Sequence, residues 1–329
     1  MRRTVVPLSL LVSLTACAAA PDGPDPVCEP RAVAVLPVRM EHNAALVPVA
    51  INGTTVPMEV DTGSMSSLLA ESTVRALNLP RDPWRTTKML GTGGTVVTRN
   101  ALVSEFNIGG IRTMTHSVPT GFLDRDLAGD TRVAGLLGVP ELSVYDIELD
   151  APNRRMAFWS AHGCSGPFVN WSQPHYVLPL SRGEGGLLYA TVYVDGVPLR
   201  AMIDWGAQIS VMTLAAARRI GVTDAMLNND RNGTGHGIDQ SQQARYEHRF
   251  NEVRIGPELF RHVMISVAPL SNLDGDMLLG MDFAQSRRVF LSYRSPRMFV
   301  APGMPDEAKT ASRNDPESSQ PRITPPGRP

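Results

Sequence analysis

Met58-Glu59-Val60-Asp61-Thr62-Gly63-Ser64-Met65-Ser66-Ser67 is the stretch on which the reading of the fold turns. A strand with apolar edges, Val56 to Val60, leads into Asp-Thr-Gly-Ser, and a run at helical spacing, Leu68 to Leu77, follows and stops before Pro80. Gly63 permits a tight backbone turn, while Thr62 and Ser64 set hydroxyls beside a carboxylate. On turn chemistry alone the same tripeptide serves equally as an Asx-type turn at a strand end.

A second copy decides between the two. Ala201-Met202-Ile203-Asp204-Trp205-Gly206-Ala207 stands 204 − 61 = 143 residues further on. Val35-Leu36-Pro37-Val38 recurs as Val177-Leu178-Pro179-Leu180, and Ile51-Asn52-Gly53 as Val194-Asp195-Gly196. Gly91-Thr92-Gly93-Gly94 recurs as Gly233-Thr234-Gly235-His236, and Leu136-Leu137-Gly138 as Leu278-Leu279-Gly280. Landmarks in one order at offsets of 142 or 143 residues mean an internal duplication into two similar lobes, since solenoid periods are far shorter.

With these residues quoted, the chain resembles the retropepsin-like aspartic proteases over roughly Ala32 to Pro302. The shared features are an apolar run into Asp-Thr-Gly-Ser, a Gly-rich hairpin, and then two apolar residues and Gly. The second copy departs from the family at Trp205, where the family has Thr. The resemblance implies an all-β fold of two duplicated lobes, each a small closed barrel or sandwich with a short helix. Low aromatic content, 28 Gly and 27 Pro, and many short strands agree with that class.

The expected domain order is a signal segment at 1–17, a tether at 18–31, a first lobe at 32–160 and a linker at 161–174. A second lobe at 175–301 and a disordered Pro- and Ser-rich tail at 302–329 complete it.

Peptide hydrolysis without a metal or a nucleophilic side chain needs a base to activate water and an acid to protonate the amide. Two carboxylates in one site do both, because like charges close together share a proton. The resemblance makes Asp61 and Asp204 that catalytic pair, supported by Thr62, Gly63, Ser64, Trp205, Gly206 and Ala207. It makes Gly91, Thr92, Gly93 and Gly94, with Gly233, Thr234 and Gly235, hairpin tips that close over a peptide. It also implies that Thr62 bonds across to the opposite loop while Trp205, lacking an acceptor, packs as an apolar wedge.

Ser64 can donate to the Asp61 carboxylate and favour its ionised form, so Asp204 is expected to hold the shared proton. His236 reads as a solvated loop residue. Two alternatives stay open: a peptide-binding relative that does not cleave, and a homodimer pairing Asp61 from two chains.

Charge bears on one class of partner. With 31 Lys and Arg against 32 Asp and Glu, the balance gives no support for nucleic-acid binding through a basic surface, and no nucleic-acid partner is expected. No His-Glu-x-x-His or paired Cys-x-x-Cys motif occurs, so neither a metal nor a cofactor is expected.

Arg2-Arg3, an apolar Val5 to Leu14 and then Leu14-Thr15-Ala16-Cys17 resemble a bacterial lipoprotein signal with Cys17 as the lipidated residue. The expectation is a chain anchored by lipid in the cell envelope, facing the periplasm, acting on peptide or protein substrates as a monomer with internal two-fold character. In that oxidising compartment Cys28 and Cys164 can pair as a disulfide.

Overall fold

The computed structural model describes residues 30–90, 95–114, 116–123, 132–160, 169, 171–236 and 242–302. Cys17, Cys28 and Cys164, and with them the expected lipidation and disulfide, lie outside the described residues, as does the hairpin tip Gly91–Gly94.

Both halves are built mainly of strands, and the same turn starts each. Strands Ala44–Ile51 and Thr54–Val60 are joined through Asn52 and Gly53, at φ of 50° and 81°. Leu188–Val194 and Val197–Ile203 are joined through Asp195 and Gly196, at 46° and 81°. Two successive left-handed residues form a tight turn whose twist matches the flanking strands, and Asn-Gly and Asp-Gly adopt it most readily.

In the second half six strands close on themselves. Leu188–Val194 pairs with Val197–Ile203, which pairs in parallel with Met277–Leu279. That strand pairs with Val211–Thr213, which pairs in parallel with Glu258–Ala268. The long strand Gln242–Ile255 then bonds both Glu258–Ala268 and Leu188–Val194, which completes the barrel. The first half follows the same circuit with breaks, because the counterparts of its two long strands are interrupted. Thr95–Leu102 and Phe106–Ile108 replace one, while Ile111–Arg112, Ser117–Val118 and Thr120–Gly121 replace the other.

Between the halves lies a sheet that pattern reading did not anticipate. Strands of both lobes pair across the molecule to form it. Its strand order is Arg31–Pro37, Arg155–Ser160, Asp146–Asp150, Arg288–Ser292, Arg297–Ala301 and Tyr176–Pro179. At its centre Ile147 faces Leu291 and Leu149 faces Val289. Arg288 reaches Glu148 at 2.6 Å and Asp150 at 3.7 Å, and its guanidinium lies 4.7 Å from the Trp171 ring centre. One apolar core runs continuously from Val47 and Met58 through Ile147 and Val289 to Ile203 and Phe250.

Two boundaries differ from the sequence expectation. The run Leu68 to Leu77, read at helical spacing, begins as the strand Leu68–Ala70 before turning helical as Glu71–Ala76, and its copy in the second half does the same as Val211–Thr213 and Leu214–Ile220. Pairing with the buried strands Gly135–Leu137 and Met277–Leu279 overrides the local helical spacing. The Thr213 hydroxyl accepts from Ala216 N–H at 3.0 Å, which sets the true start of the second helix.

The second hairpin is also longer than its offset implied. Gly233, Thr234, Gly235 and His236 belong to the strand Arg231–His236 and pair with Arg245 through Gln242. They pair along the strand and do not themselves form a turn, and residues 237–241 that follow lie outside the described residues.

Candidate active site

The two Asp loops are set by equivalent backbone anchors. Asp61 N–H donates to Leu137 O at 2.9 Å, and Asp204 N–H donates to Leu279 O at 3.0 Å. Leu-Leu-Gly runs parallel to each Asp strand, with Leu137 opposite Val60 and Leu279 opposite Ile203. Val139 N–H then donates to Ser64 O at 2.9 Å, and Met281 N–H to Ala207 O at 2.8 Å. Each turn is drawn back onto its own carboxylate. Gly63 N–H donates to Asp61 Oδ1 at 3.0 Å, while Gly206 and Ala207 N–H donate to Asp204 Oδ1 at 3.0 and 3.1 Å.

Across the interface the loops interlock. A Cβ added at Gly63 would stand 2.5 Å from Asp204 Cγ, and one at Gly206 would stand 2.4 Å from Asp61 Cγ. Either contact is far inside van der Waals distance, so any side chain at 63 or 206 would push the opposite carboxyl away. Glycine at both places lets each carboxyl lie over the other lobe's loop.

Thr62 locks the pair from one side. Its buried hydroxyl donates to Ile203 O at 2.7 Å and accepts from Trp205 N–H at 3.0 Å. Trp205 is 2% exposed and belongs to the continuous core, where its ring fills space instead of returning a hydroxyl bond. At this position one hydroxyl, that of Thr62, makes two bonds to the opposite loop, and the indole of Trp205 is packed in the core.

Ser64 corrects an expectation. Its hydroxyl donates to Ser66 O at 2.8 Å and not to Asp61, so the argument that assigned the shared proton to Asp204 loses its basis. A hydroxyl carries one proton and here spends it on the local turn.

Several contributors escaped the sequence reading. Ser67 Oγ accepts from Gly138 N–H at 2.8 Å and donates to Glu141 Oε2. Ser210 Oγ accepts from Gly280 N–H at 3.0 Å and donates to Asp282 Oδ1 at 2.7 Å. The available signal was 210 − 67 = 143, with an acid two or three residues after each Leu-Leu-Gly. Tyr293 is buried, and its hydroxyl has no hydrogen-bond partner among the described residues. Burial, and then the negative charge of Asp61, push that hydroxyl well above the usual tyrosine range.

Met89 from the hairpin strand Arg81–Leu90 packs on Leu68 and Leu136, which ties this hairpin to the strands that support the first Asp loop. Among the described residues no group of three or more His, Cys, Asp or Glu could hold a metal ion. Two carboxyls stacked across glycines, with fixed backbone donors behind them, can hold and polarise a water molecule.

Comparison with known proteins points the same way in both halves. An aspartyl protease family model matches residues 47–140, and the model for the aspartyl protease of gag polyproteins matches residues 190–286. Protein DNA-DAMAGE INDUCIBLE 1 of Arabidopsis thaliana is 26% identical over 117 residues, which is 36% of this chain. The aligned part spans only 27% of that relative's length. The crystal structure of a retropepsin-like aspartic protease from Rickettsia conorii is matched at 22% identity and a TM-score of 0.30, over 40% of this chain and 96% of the other.

Proposed function

We propose that this retropepsin-like aspartic protease chain is an endopeptidase whose site is completed within one molecule, by Asp61 and Asp204. The observation that carries the reading is the reciprocal fit of each carboxyl over the opposite lobe's glycine. Carboxyls so placed share a proton, and their titration belongs to the pair. The ionised member takes a proton from a bound water as its oxygen attacks the peptide carbonyl carbon. The protonated member gives its proton to the amide nitrogen as the C–N bond breaks, and the pair is left with one proton as before. Thr62 and the backbone donors at Gly63, Gly206 and Ala207 hold the carboxylates so that little reorganisation accompanies the step.

A site made from Asp61 of two chains is disfavoured, because the Gly63 surface it would need is covered by the Asp204 carboxyl. The non-cleaving alternative draws on Trp205 alone, and Thr62 already makes both bonds that position the loop.

The test is cleavage of a denatured protein at roughly pH 4 to 7, with and without pepstatin, by the parent, Asp61→Asn and Asp204→Asn. Both variants should be inactive with unchanged thermal unfolding, since an amide cannot take up the water's proton. An active Asp204→Asn beside an inactive Asp61→Asn would refute the single-chain site.

The location proposed for this activity is the cell envelope, with the chain held by lipid on Cys17. The support is the sequence pattern ending at that residue. Among the described residues no helix is long and apolar enough to cross a membrane. Cys17→Ser should move the protein from the membrane to the soluble fraction, and unchanged fractionation would rule the anchor out.

A further inference from the structure

Each lobe sends a turn across to the other lobe's Asp loop, and the two turns are not equivalent. In the first lobe the strands Arg39–Glu41 and Ala44–Ile51 are joined by His42 and Asn43, both left-handed at φ of 45° and 63°. The corresponding residues of the second lobe, 42 + 143 = 185 and 43 + 143 = 186, are Gly185 and Gly186, left-handed at 62° and 85°. The targets correspond too, since 65 + 143 = 208 relates Met65 to Gln208, each four residues past its aspartate.

The contacts differ in kind. Asn43 Nδ2 donates to Gln208 O at 3.0 Å, a hydrogen bond that crosses the lobe interface. Gly186, the counterpart of Asn43, offers no side chain, and a Cβ there would stand 3.0 Å from Val139 Cγ1; at its neighbour Gly185 a Cβ would stand 2.6 Å from both Met65 Cγ and Sδ. The second lobe therefore has no carboxamide at the position equivalent to Asn43, and Met65 packs against the neighbouring Gly185 instead.

Together with Thr62, this gives the Asp204 loop a bracket. Thr62 holds Ile203 O and Trp205 N–H on either side of Asp204, and Asn43 holds Gln208 O further along the loop. Both holding side chains come from the first lobe. The position that would return a hydroxyl bond from the second lobe is Trp205, which has none.

We propose that Asn43 is a positioning residue for the reaction, its carboxamide fixing the Asp204 loop at Gln208 O in addition to the hold that Thr62 exerts on either side of Asp204. The proposal rests on the Asp61–Asp204 reading. Asn at a left-handed turn position has a simpler explanation, because Asn tolerates that backbone better than most residues. The two explanations separate cleanly by substitution. Asn43→Gly keeps or eases the turn and removes the tie. Asn43→Asp keeps the shape and the turn tendency but replaces the donor with an acceptor facing a carbonyl.

The experiment measures kcat and KM, thermal unfolding, and amide hydrogen exchange of the segment 204–210 in the full chain and both variants. Expected for both are a fall in kcat of roughly tenfold and a KM within about twofold, from displacement of a catalytic group without loss of substrate contacts. Exchange at Gly206 and Ala207 should quicken, while Asn43→Gly unfolds at the parent's temperature. Parent-like kcat and exchange in Asn43→Gly, or a loss confined to Asn43→Asp, would overturn the proposal, since only the new repulsion would then matter. If the parent cleaves nothing, the endopeptidase reading fails separately and exchange alone decides. Faster exchange of 204–210 in Asn43→Gly supports the bracket, and unchanged exchange overturns it.

Discussion

Replacing Thr62 by Val removes a single oxygen atom and keeps the shape of the side chain. That oxygen is buried and makes two hydrogen bonds, donating to Ile203 O at 2.7 Å and accepting from Trp205 N–H at 3.0 Å. Thr62→Val therefore leaves a buried carbonyl and a buried N–H without this partner. Each such group costs about 1–3 kcal/mol, so the substitution should destabilise the chain by about 2–6 kcal/mol. At roughly 2–4 °C per kcal/mol for a chain of this size class, the midpoint should fall by roughly 5–20 °C. Thr62→Ser keeps the hydroxyl and loses one buried methyl, at about 1 kcal/mol. Differential scanning calorimetry of parent, Ser and Val variants, with cleavage rates measured below the transition, supplies the assay. The Ser variant should retain most activity and the Val variant should lose most of it, because Asp204 is carried between the two bonded residues. If Val unfolds within about 2 °C of Ser and cleaves equally well, Thr62 is not the lock.

Two other perturbations follow from charges. Arg288 spans the central sheet to Glu148, whose side chain is 2% exposed; Arg288→Met should destabilise by about 3–5 kcal/mol by leaving that charge unpaired, and Glu148→Leu in the same chain should recover most of the loss in urea unfolding. Recovery failing in the double variant would show that packing, not the ion pair, was at stake. Burial raises the pKa of Glu71, but hydrogen bonds from Arg81 and Thr120 outweigh it and hold the carboxyl below its ordinary 4.5. A depressed folded value stabilises above the unfolded one, so Glu71→Gln should lower the melting temperature at neutral pH. The gap should close as pH falls below 4.5 and through the folded value, and a gap constant with pH would refute the assignment.

The chain's organisation was legible because its signals are local and repeated. Asn52-Gly53 and Asp195-Gly196 state a tight turn wherever they occur, and Asp-x-Gly followed 75 or 74 residues after its Asp by Leu-Leu-Gly needs no knowledge of the other lobe. The central sheet was not legible, for a physical reason visible in Asp146-Ile147-Glu148-Leu149-Asp150. Alternating acid and aliphatic residues read as a strand with one wet face, yet all five are buried. The acids are buried because Arg288 and the Arg294 N–H arrive from a segment about 140 residues away. A strand's own pattern says which face is apolar; it cannot say that the polar face will meet a partner.

The same limit explains what the duplication concealed at the site. A constant offset suggests that whatever one lobe does for its neighbour is returned. Here the returned contacts are of a different kind, since Thr62 and Asn43 both reach from the first lobe and Trp205 and Gly186 occupy the reciprocal places. A symmetric pair of second-lobe copies cannot be built this way. A Trp at the position following the aspartate would appear twice in it, and no hydroxyl would remain to hold either loop. In one chain with two copies, a single hydroxyl that both donates and accepts can fix the opposite loop, which leaves the second position available for an apolar residue that joins the core. Trp205 therefore fits a site completed within one chain, provided that Thr62 keeps both of its bonds. The Thr62→Val and Asn43→Gly variants probe the two ends of that one-sided lock independently.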